Sequence, residues 1–391
     1  MNNHVNNHLD PVIAWLLGEG RELADPNAFL ENFARVVRDS GVDVGRITTG
    51  VPILHPQLYS FSGLWQLGKG ASERLYRIDG DWRSALENSP IRIAYEGGGP
   101  VRCRLTEPPR AGEYPIVTDL RAEGFTDYLV LKIPFADGTH KALSVATARS
   151  DGFTDAEVAL FEALIPALAV NLEMQALRRM ARTLLDTYVG RQTGGRVLDG
   201  QIRRGMGETI RAVIWLCDLR GFTALSEKLP RDELIGMLNA YFGPMCEAVE
   251  ANGGEVLKFI GDAMLAIFPV ADDVGAACGR ALAAAATAQA SLRHENALRA
   301  ENGQPRIDYG IALNVGDVMY GNIGSDTRLD FTVIGPAVNL AARIESLCGK
   351  LGRPVLLSAE FVAASGAPVE AVGEFALKGV GEQQRIFAPR P

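Results

Sequence analysis

The sequence predicts two α+β domains joined by a helix. Three observations carry this. At roughly 150 residues per domain, 391 residues divide into two or three units. The N-terminal part, residues 1–168, breaks into short strand-like runs and closes on a helix, and from about residue 211 a regular order of strand, helix, two strands, helix and strand begins. Hydrophobic residues at 47% and charged residues at 22% supply a core and exclude wholesale disorder.

In the first domain, Asp25-Pro26 opens a helix whose Phe29, Phe33, Val36 and Val37 recur at helical spacing, and Gly41 ends it. RITTGVPIL, RLYRID, IRIAY and VRCRL read as short strands. YLVLKIPF (128–135) and KALSVATAR (141–149), joined by Asp137-Gly138, read as a β-hairpin. Thr154, with Glu157 three residues on, is a capping box that opens a helix through VALFEALIPALAV.

That helix continues past the domain. Val170, Met174, Leu177, Ala181, Leu184 and Tyr188 alternate in steps of 4 and 3, a heptad seam that predicts a short parallel coiled coil joining two protomers. An amphipathic helix lying on its own domain is the other reading. Residues 169–204 are thus a connecting helix and linker, with 190–210 irregular and rich in Gly and Arg.

Beyond it, RAVIWLCDL is a buried strand, and PRDELIGMLNAYFGPMCEAVEA a helix with Leu234, Leu238, Phe242, Met245 and Val249 on one face. GEVLKFI and AMLAIF are strands joined at Gly261-Asp262, followed by an Ala-rich helix (274–300). RIDYGIALN and DVMYGNI read as another hairpin, and LDFTVIG leads into a helix beginning at Pro336. This order is that of a ferredoxin-like palm, a βαββαβ core, with a C-terminal extension.

Composition narrows the function. Lys+Arg 39 against Asp+Glu 47 leaves a net charge of −8 and a pI near 5.3, which offers nothing to nucleic acid or an anionic membrane surface. Five scattered cysteines form no CxxC pair, as expected of reduced thiols in a cytoplasmic protein. No run of about 18 apolar residues is present to span a bilayer.

Chemistry concentrates in the second domain. Asp218 ends an apolar strand, and Asp262 sits in the turn of a hairpin 44 residues later. Each alone is ordinary capping or turn chemistry, but in a palm these strands are neighbours and the two carboxylates converge at the sheet edge. Such a pair suits Mg²⁺, which takes hard oxygen ligands and keeps few protein ones. Two ions there can activate an attacking oxygen and neutralise a leaving group. The loop Leu219–Thr223, with Gly221, Phe222 and Thr223, runs from strand to helix and offers backbone amides to a triphosphate. Asn339 and Arg343, four apart on one helical face, read either as a solvated face or as groups for a sugar hydroxyl and for charge on a transferring phosphorus.

DLRGFTALSE, GGEVLKFIGDAMLAIF, LDFTVIGPAVNLAARIE and FALKGV, in this order, resemble the catalytic domain of the class III nucleotidyl cyclases over roughly 205–390. The resemblance implies two Mg²⁺ or Mn²⁺ ions per site, held by Asp218, Asp262 and the Leu219 carbonyl. It implies ribose positioning by Asn339, transition-state stabilisation by Arg343, and contact of Lys378 with the terminal phosphates. It also implies a homodimer in which each site takes its aspartates from one chain and Asn339 and Arg343 from the other. Lys258 and Thr332 match the base-reading positions. A lysine is donor-only and meets the N1 acceptor of adenine, so ATP is the expected substrate and 3′,5′-cyclic AMP the product. Many adenylate cyclases carry Asp where Thr332 stands, and the threonine resembles a bacterial subgroup described as bicarbonate-responsive. A guanylate cyclase and a non-catalytic nucleotide-binding regulator remain the alternatives; no GGDEF-like turn supports a diguanylate-type enzyme.

The segment YLVLKIPFADGTHKALSVATARSDGFTDAEVALFEALIPAL resembles the closing hairpin and helix of GAF-type sensory domains. It implies a small-molecule or light signal read by residues 1–168. Cys103 as a cofactor anchor, and His55 and His140 as haem ligands, stand beside their plainer roles in packing and on the surface.

Overall fold

The computed structural model describes residues 11–52, 58–77, 86–109 and 112–390, and these divide into two units, Met1–Thr187 and Tyr188–Pro391. His55 lies outside the described residues.

In the N-terminal unit, Asp25 accepts from the Ala28 amide at 2.9 Å and Pro26 takes the first helical position, so α1 (Pro26–Asp39) starts where the sequence predicts. Six antiparallel strands follow: β1 (Arg46–Pro52), β2 (Leu58–Gln66), β3 (Gly70–Arg77), β4 (Val101–Arg104), β5 (Asp127–Pro134) and β6 (His140–Thr147), in the order β3-β2-β1-β6-β5-β4. Helices α2 (Ile91–Tyr95) and α3 (Pro115–Ala122) lie between β3 and β5 in sequence, and α4 (Asp155–Tyr188) closes the unit. IRIAY is therefore a short helix and not a strand. Its alternation fits either element, but Pro90 precedes it as N-cap and Ala94 is its one buried residue, so only one position has to reach the core. The two faces of the sheet bury separate clusters. Phe29, Phe33, Leu129, Leu143, Phe161 and Leu164 pack on the α1–α4 side, and Leu120, Phe125, Tyr128 and Val130 on the other.

The capping box is made at both ends: the Glu157 amide donates to Thr154 Oγ1 at 3.2 Å, and the Thr154 amide to Glu157 Oε2 at 2.7 Å. Along α4, Leu160, Phe161, Leu164, Leu168 and Leu172 are buried in their own unit, whereas Val170, Leu177, Leu184 and Tyr188 are 46%, 63%, 38% and 81% exposed. Cys103 lies on β4 and His140 begins β6, both partly buried.

The C-terminal unit opens on α5 (Arg191–Leu198), so part of the stretch expected to be irregular is helical. Thr193 explains it: its amide and hydroxyl both donate to the buried Glu255, at 3.0 and 2.8 Å, a tertiary anchor that local composition does not announce. The core consists of β7 (Gly207–Leu219), α6 (Phe222–Lys228), α7 (Arg231–Ala251), β8 (Glu255–Ile260), β9 (Ala263–Pro269), α8 (Val274–Glu301) and β10 (Tyr309–Gly324). After it come β11 (Leu329–Ile334), α9 (Pro336–Leu351), β12 (Val355–Ser358), α10 (Ala359–Ser365), β13 (Val369–Phe375) and β14 (Gln384–Pro389). The sheet runs β13-β14-β12-β10-β7-β9-β8, with β11 paired to β10 off this path, and β10 and β12 are parallel. Its central order, β10-β7-β9-β8, is the antiparallel arrangement of a βαββαβ palm.

Two expectations are corrected here. RIDYGIALN and DVMYGNI do not fold back on each other; β10 is one long strand, paired with β7 from Tyr309 to Gly321. Gly316, between the two runs, makes room for a helix, since a Cβ there would lie 2.7 Å from the Ala337 Cβ of α9. On α7 the buried residues are Met237, Tyr241, Met245, Ala248 and Val249, so Leu234, Leu238 and Phe242 sit beside the core face and not at its centre. Met245 and Val249 belong to both stripes, and only the N-terminal part of the helix turns a different face, Met237 and Tyr241, to the core.

Candidate active site

β7 alternates strictly. Val213, Trp215, Cys217 and Leu219 enter the core under α7 and α8, while Ala212 and Ile214 face the opposite layer. The strand ends at the sheet edge with Asp218 paired to Ala263 of β9, which puts Asp218 beside Asp262 in the β8–β9 turn. Both aspartates are partly buried. Burial pushes the Asp218 carboxyl up to about 6, and the neighbouring Asp262 adds to the shift by hydrogen bonding and charge. Asp218 Oδ1 is buried and has no hydrogen-bond partner.

These observations test the fit of a divalent cation. A buried carboxylate oxygen without a partner, next to a second carboxylate, is a costly arrangement that a cation relieves. Among the described residues no group of three or more His, Cys, Asp and Glu side chains could hold a metal. Two carboxylates and a main-chain carbonyl suit Mg²⁺ nonetheless, because that ion takes few protein ligands and completes its shell with water and phosphate oxygens. The residues fit.

After Asp218 the chain turns sharply. The Arg220 amide donates to the Asp308 carbonyl at 2.7 Å, and Gly221 takes a left-handed φ of 71° before Phe222 begins α6. Phe222 is partly buried, Thr223 is exposed, and Leu219 is 3% exposed.

The remaining candidates lie on other elements. Asn339 and Arg343 are exposed on α9, and Lys378 is exposed in the turn between β13 and β14. Among the described residues no hydrogen bond or ion pair joins these three to Asp218 or Asp262 of the same chain. Helix α9 is held by the Asn314 side chain of β10, which donates to the Ala337 carbonyl at 2.8 Å. Lys258 on β8 reaches across to β11 and pairs with Asp330 at 2.6 Å. Thr332, two residues further along β11, is 4% exposed, and its Oγ1 has no partner.

Sequence reasoning missed three charged residues. Arg220 Nη2 donates to the main-chain carbonyl of Glu345 at 2.9 Å and to its Oε1 at 2.5 Å. Burial pushes the Glu345 carboxyl up to about 7; Arg220 opposes the rise, and the nearby Asp218 and Asp262 charges add to it. Asp330 is the third, paired with Lys258. The available signals were its period-2 spacing from Thr332, which puts both on one strand face, and the position of Glu345 inside the motif that carries Asn339 and Arg343.

Residues 207–388 match the adenylate and guanylate cyclase catalytic domain. An adenylate cyclase of Anabaena cylindrica is 39% identical over 165 residues, 41% of this chain and 32% of that protein, so the chain spans about a third of the length of this relative. The solved guanylyl cyclase Cya2 is 33% identical over 46% of this chain and 92% of its own, with a TM-score of 0.42. The adenylyl cyclase CyaB from P. aeruginosa is 28% identical over 46% of this chain and 94% of its own, with a TM-score of 0.41.

Proposed function

We propose that this chain, whose C-terminal unit carries a class III cyclase catalytic domain, is a homodimeric adenylate cyclase regulated by its N-terminal unit. The observation that carries the reading is the meeting of Asp218, with its unpartnered buried oxygen, and Asp262 at one sheet edge. Residues 1–168 act as a GAF-like sensory domain; a six-stranded antiparallel sheet with helices on both faces supports this.

In the reaction the ribose 3′-hydroxyl gives up its proton and its oxygen bonds to the α-phosphorus of ATP, the bond from that phosphorus to the bridging oxygen of the β-phosphate breaks, and pyrophosphate departs. Asn339 orients the ribose, Arg343 meets the charge growing on the α-phosphoryl oxygens, and Lys378 holds the terminal phosphates. The backbone amides at Gly221, Phe222 and Thr223 face the triphosphate. Bound Mg²⁺ or Mn²⁺, held by Asp218, Asp262 and the Leu219 carbonyl, supplies charge neutralisation and Lewis acidity. Lys258 donates to N1 of adenine, and the free Thr332 hydroxyl accepts from its amino group.

A second copy completes each site. Asn339 and Arg343 are exposed on α9, and Phe259, Ile260 and Ile334, at 52%, 52% and 50% exposure, leave an apolar rim beside Lys258 for a partner to cover. The exposed seam of α4 gives the same two chains a parallel contact. None of the described helices is long and apolar enough to cross a membrane.

The experiment is cyclic nucleotide formation by the purified full chain with ATP or GTP and with Mg²⁺ or Mn²⁺. Cyclic AMP from ATP, abolished by Arg343→Ala, is the expected result. Equal rates with GTP would overturn the substrate, and absence of any product from the full chain and from residues 205–391 would overturn the activity.

A further inference from the structure

We propose that Asp330 is a positioning residue for nucleobase choice, acting by holding Lys258 on the adenine edge. The proposal rests on the reading of Lys258 as the base contact. Its observation is separate: the Lys258 Nζ to Asp330 Oδ2 contact of 2.6 Å, made between β8 and β11 two residues from Thr332.

A lysine is an indifferent base reader when left alone. Its ammonium is a point charge on a flexible four-carbon stem, and it can donate to N1 of adenine or swing to O6 of guanine. Discrimination requires that the donor stay in one place. Lys258 is 29% exposed and Asp330 55% exposed along their side chains, so the pair is reached by solvent, and an untethered lysine would sample several rotamers there. One ammonium proton bonded to Asp330 leaves two for the base and restricts where they point. Guanine then presents its N1–H donor to a fixed donor, and one of its hydrogen bonds goes unmade.

Strand geometry supports the assignment. Asp330 and Thr332 are two residues apart on β11, opposite Ile323 and Gly321 of β10, and so project from one face. Thr332 occupies the position where many adenylate cyclases have an aspartate, and a hydroxyl can donate as well as accept. The carboxylate two residues upstream supplies the acceptor-only group that the threonine lacks, and directs it at the lysine.

The test uses the full chain and measures initial rates with ATP and with GTP for the wild type, Lys258→Ala, Asp330→Ala, Asp330→Glu and the Lys258→Ala/Asp330→Ala double variant. Calorimetric binding of non-cyclisable ATP and GTP analogues answers the same question for any variant whose turnover is lost. Asp330→Ala should raise KM for ATP with little change in kcat and cut the ATP-over-GTP preference by about 3- to 10-fold, the worth of one net hydrogen bond. Asp330→Glu should recover part of that preference. The double variant should discriminate no worse than Lys258→Ala, because Asp330 acts only through the lysine. A lower KM for ATP in Asp330→Ala would mean that the carboxylate merely withholds Lys258, and unchanged preference would mean it does nothing; both overturn the proposal. Unchanged preference in Lys258→Ala would instead remove the base-contact reading beneath it.

Discussion

Arg220 and Glu345 tie the loop after Asp218 to the helix that carries Asn339 and Arg343. One guanidinium nitrogen donates to the Glu345 carbonyl at 2.9 Å and to its carboxylate at 2.5 Å. The contact needs the glycine opposite Asp218 on β10, because a Cβ on Gly310 would lie 2.7 Å from Glu345 Oε1. In the proposed dimer these two segments serve different active sites, so the pair is a direct mechanical link between the two half-sites of one chain.

Removing one partner should be costly. Arg220→Met leaves a buried carboxyl without its cation and should lower the stability of the catalytic unit by about 3 kcal/mol in urea unfolding, whereas Glu345→Gln should cost roughly 1 kcal/mol. Equal losses would show that the carboxyl does not depend on the arginine.

The same carboxyl sets a pH dependence. Its value in the folded chain, about 7, lies above its ordinary 4.5. Below 4.5 both folded and unfolded states hold the proton, and the stability is fully present. Between the two values only the folded state holds it, so stability falls as pH rises, and the loss is complete above about 7. The unfolding free energy of the wild type minus that of Glu345→Gln should therefore decline from pH 4.5 to 7. A difference that grew with pH would mean that the ion pair outweighs burial.

Asp262→Ala should lower metal-dependent turnover by at least roughly 100-fold, since a lost metal contact costs affinity on that scale. Light scattering should report an unchanged dimer mass. Retained activity would remove the metal assignment.

Shared sites make a complementation test. Asp262→Ala and Arg343→Ala, each inactive alone, should on mixing regain about a quarter of wild-type activity, because half of the random dimers are mixed and each of those holds one intact site. No recovery after subunit exchange would place both halves of the site in one chain.

The seam of α4 gives a further prediction. Leu177→Glu with Leu184→Glu removes two exposed apolar residues and puts like charges where two chains would meet. The dimer should dissociate at higher protein concentration than the wild type in sedimentation, and specific activity should fall on dilution. An unchanged dissociation constant would return α4 to its own unit.

Some of the structure was legible because its causes are local. Thr154 and Glu157 complete a capping box within four residues, Asp25-Pro26 starts a helix, and the alternation of β7 is a property of consecutive side chains. Where a local pattern admits two elements, reading fails. IRIAY suits a strand or a helical turn, and RIDYGIALN followed by DVMYGNI suits a hairpin or one long strand.

By itself, then, the sequence determined the βαββαβ order, the two aspartates at strand ends, and the helical face shared by Asn339 and Arg343, each through spacing along the chain. Tertiary structure alone decided which stripe of α7 is buried, that β10 runs unbroken, that α5 forms on Glu255, and that Arg220 finds Glu345 and Lys258 finds Asp330. Those partners are 125 and 72 residues apart, and no local propensity encodes such a pairing; the sheet's register brings the charges together, and at the buried Glu345 desolvation then requires the match.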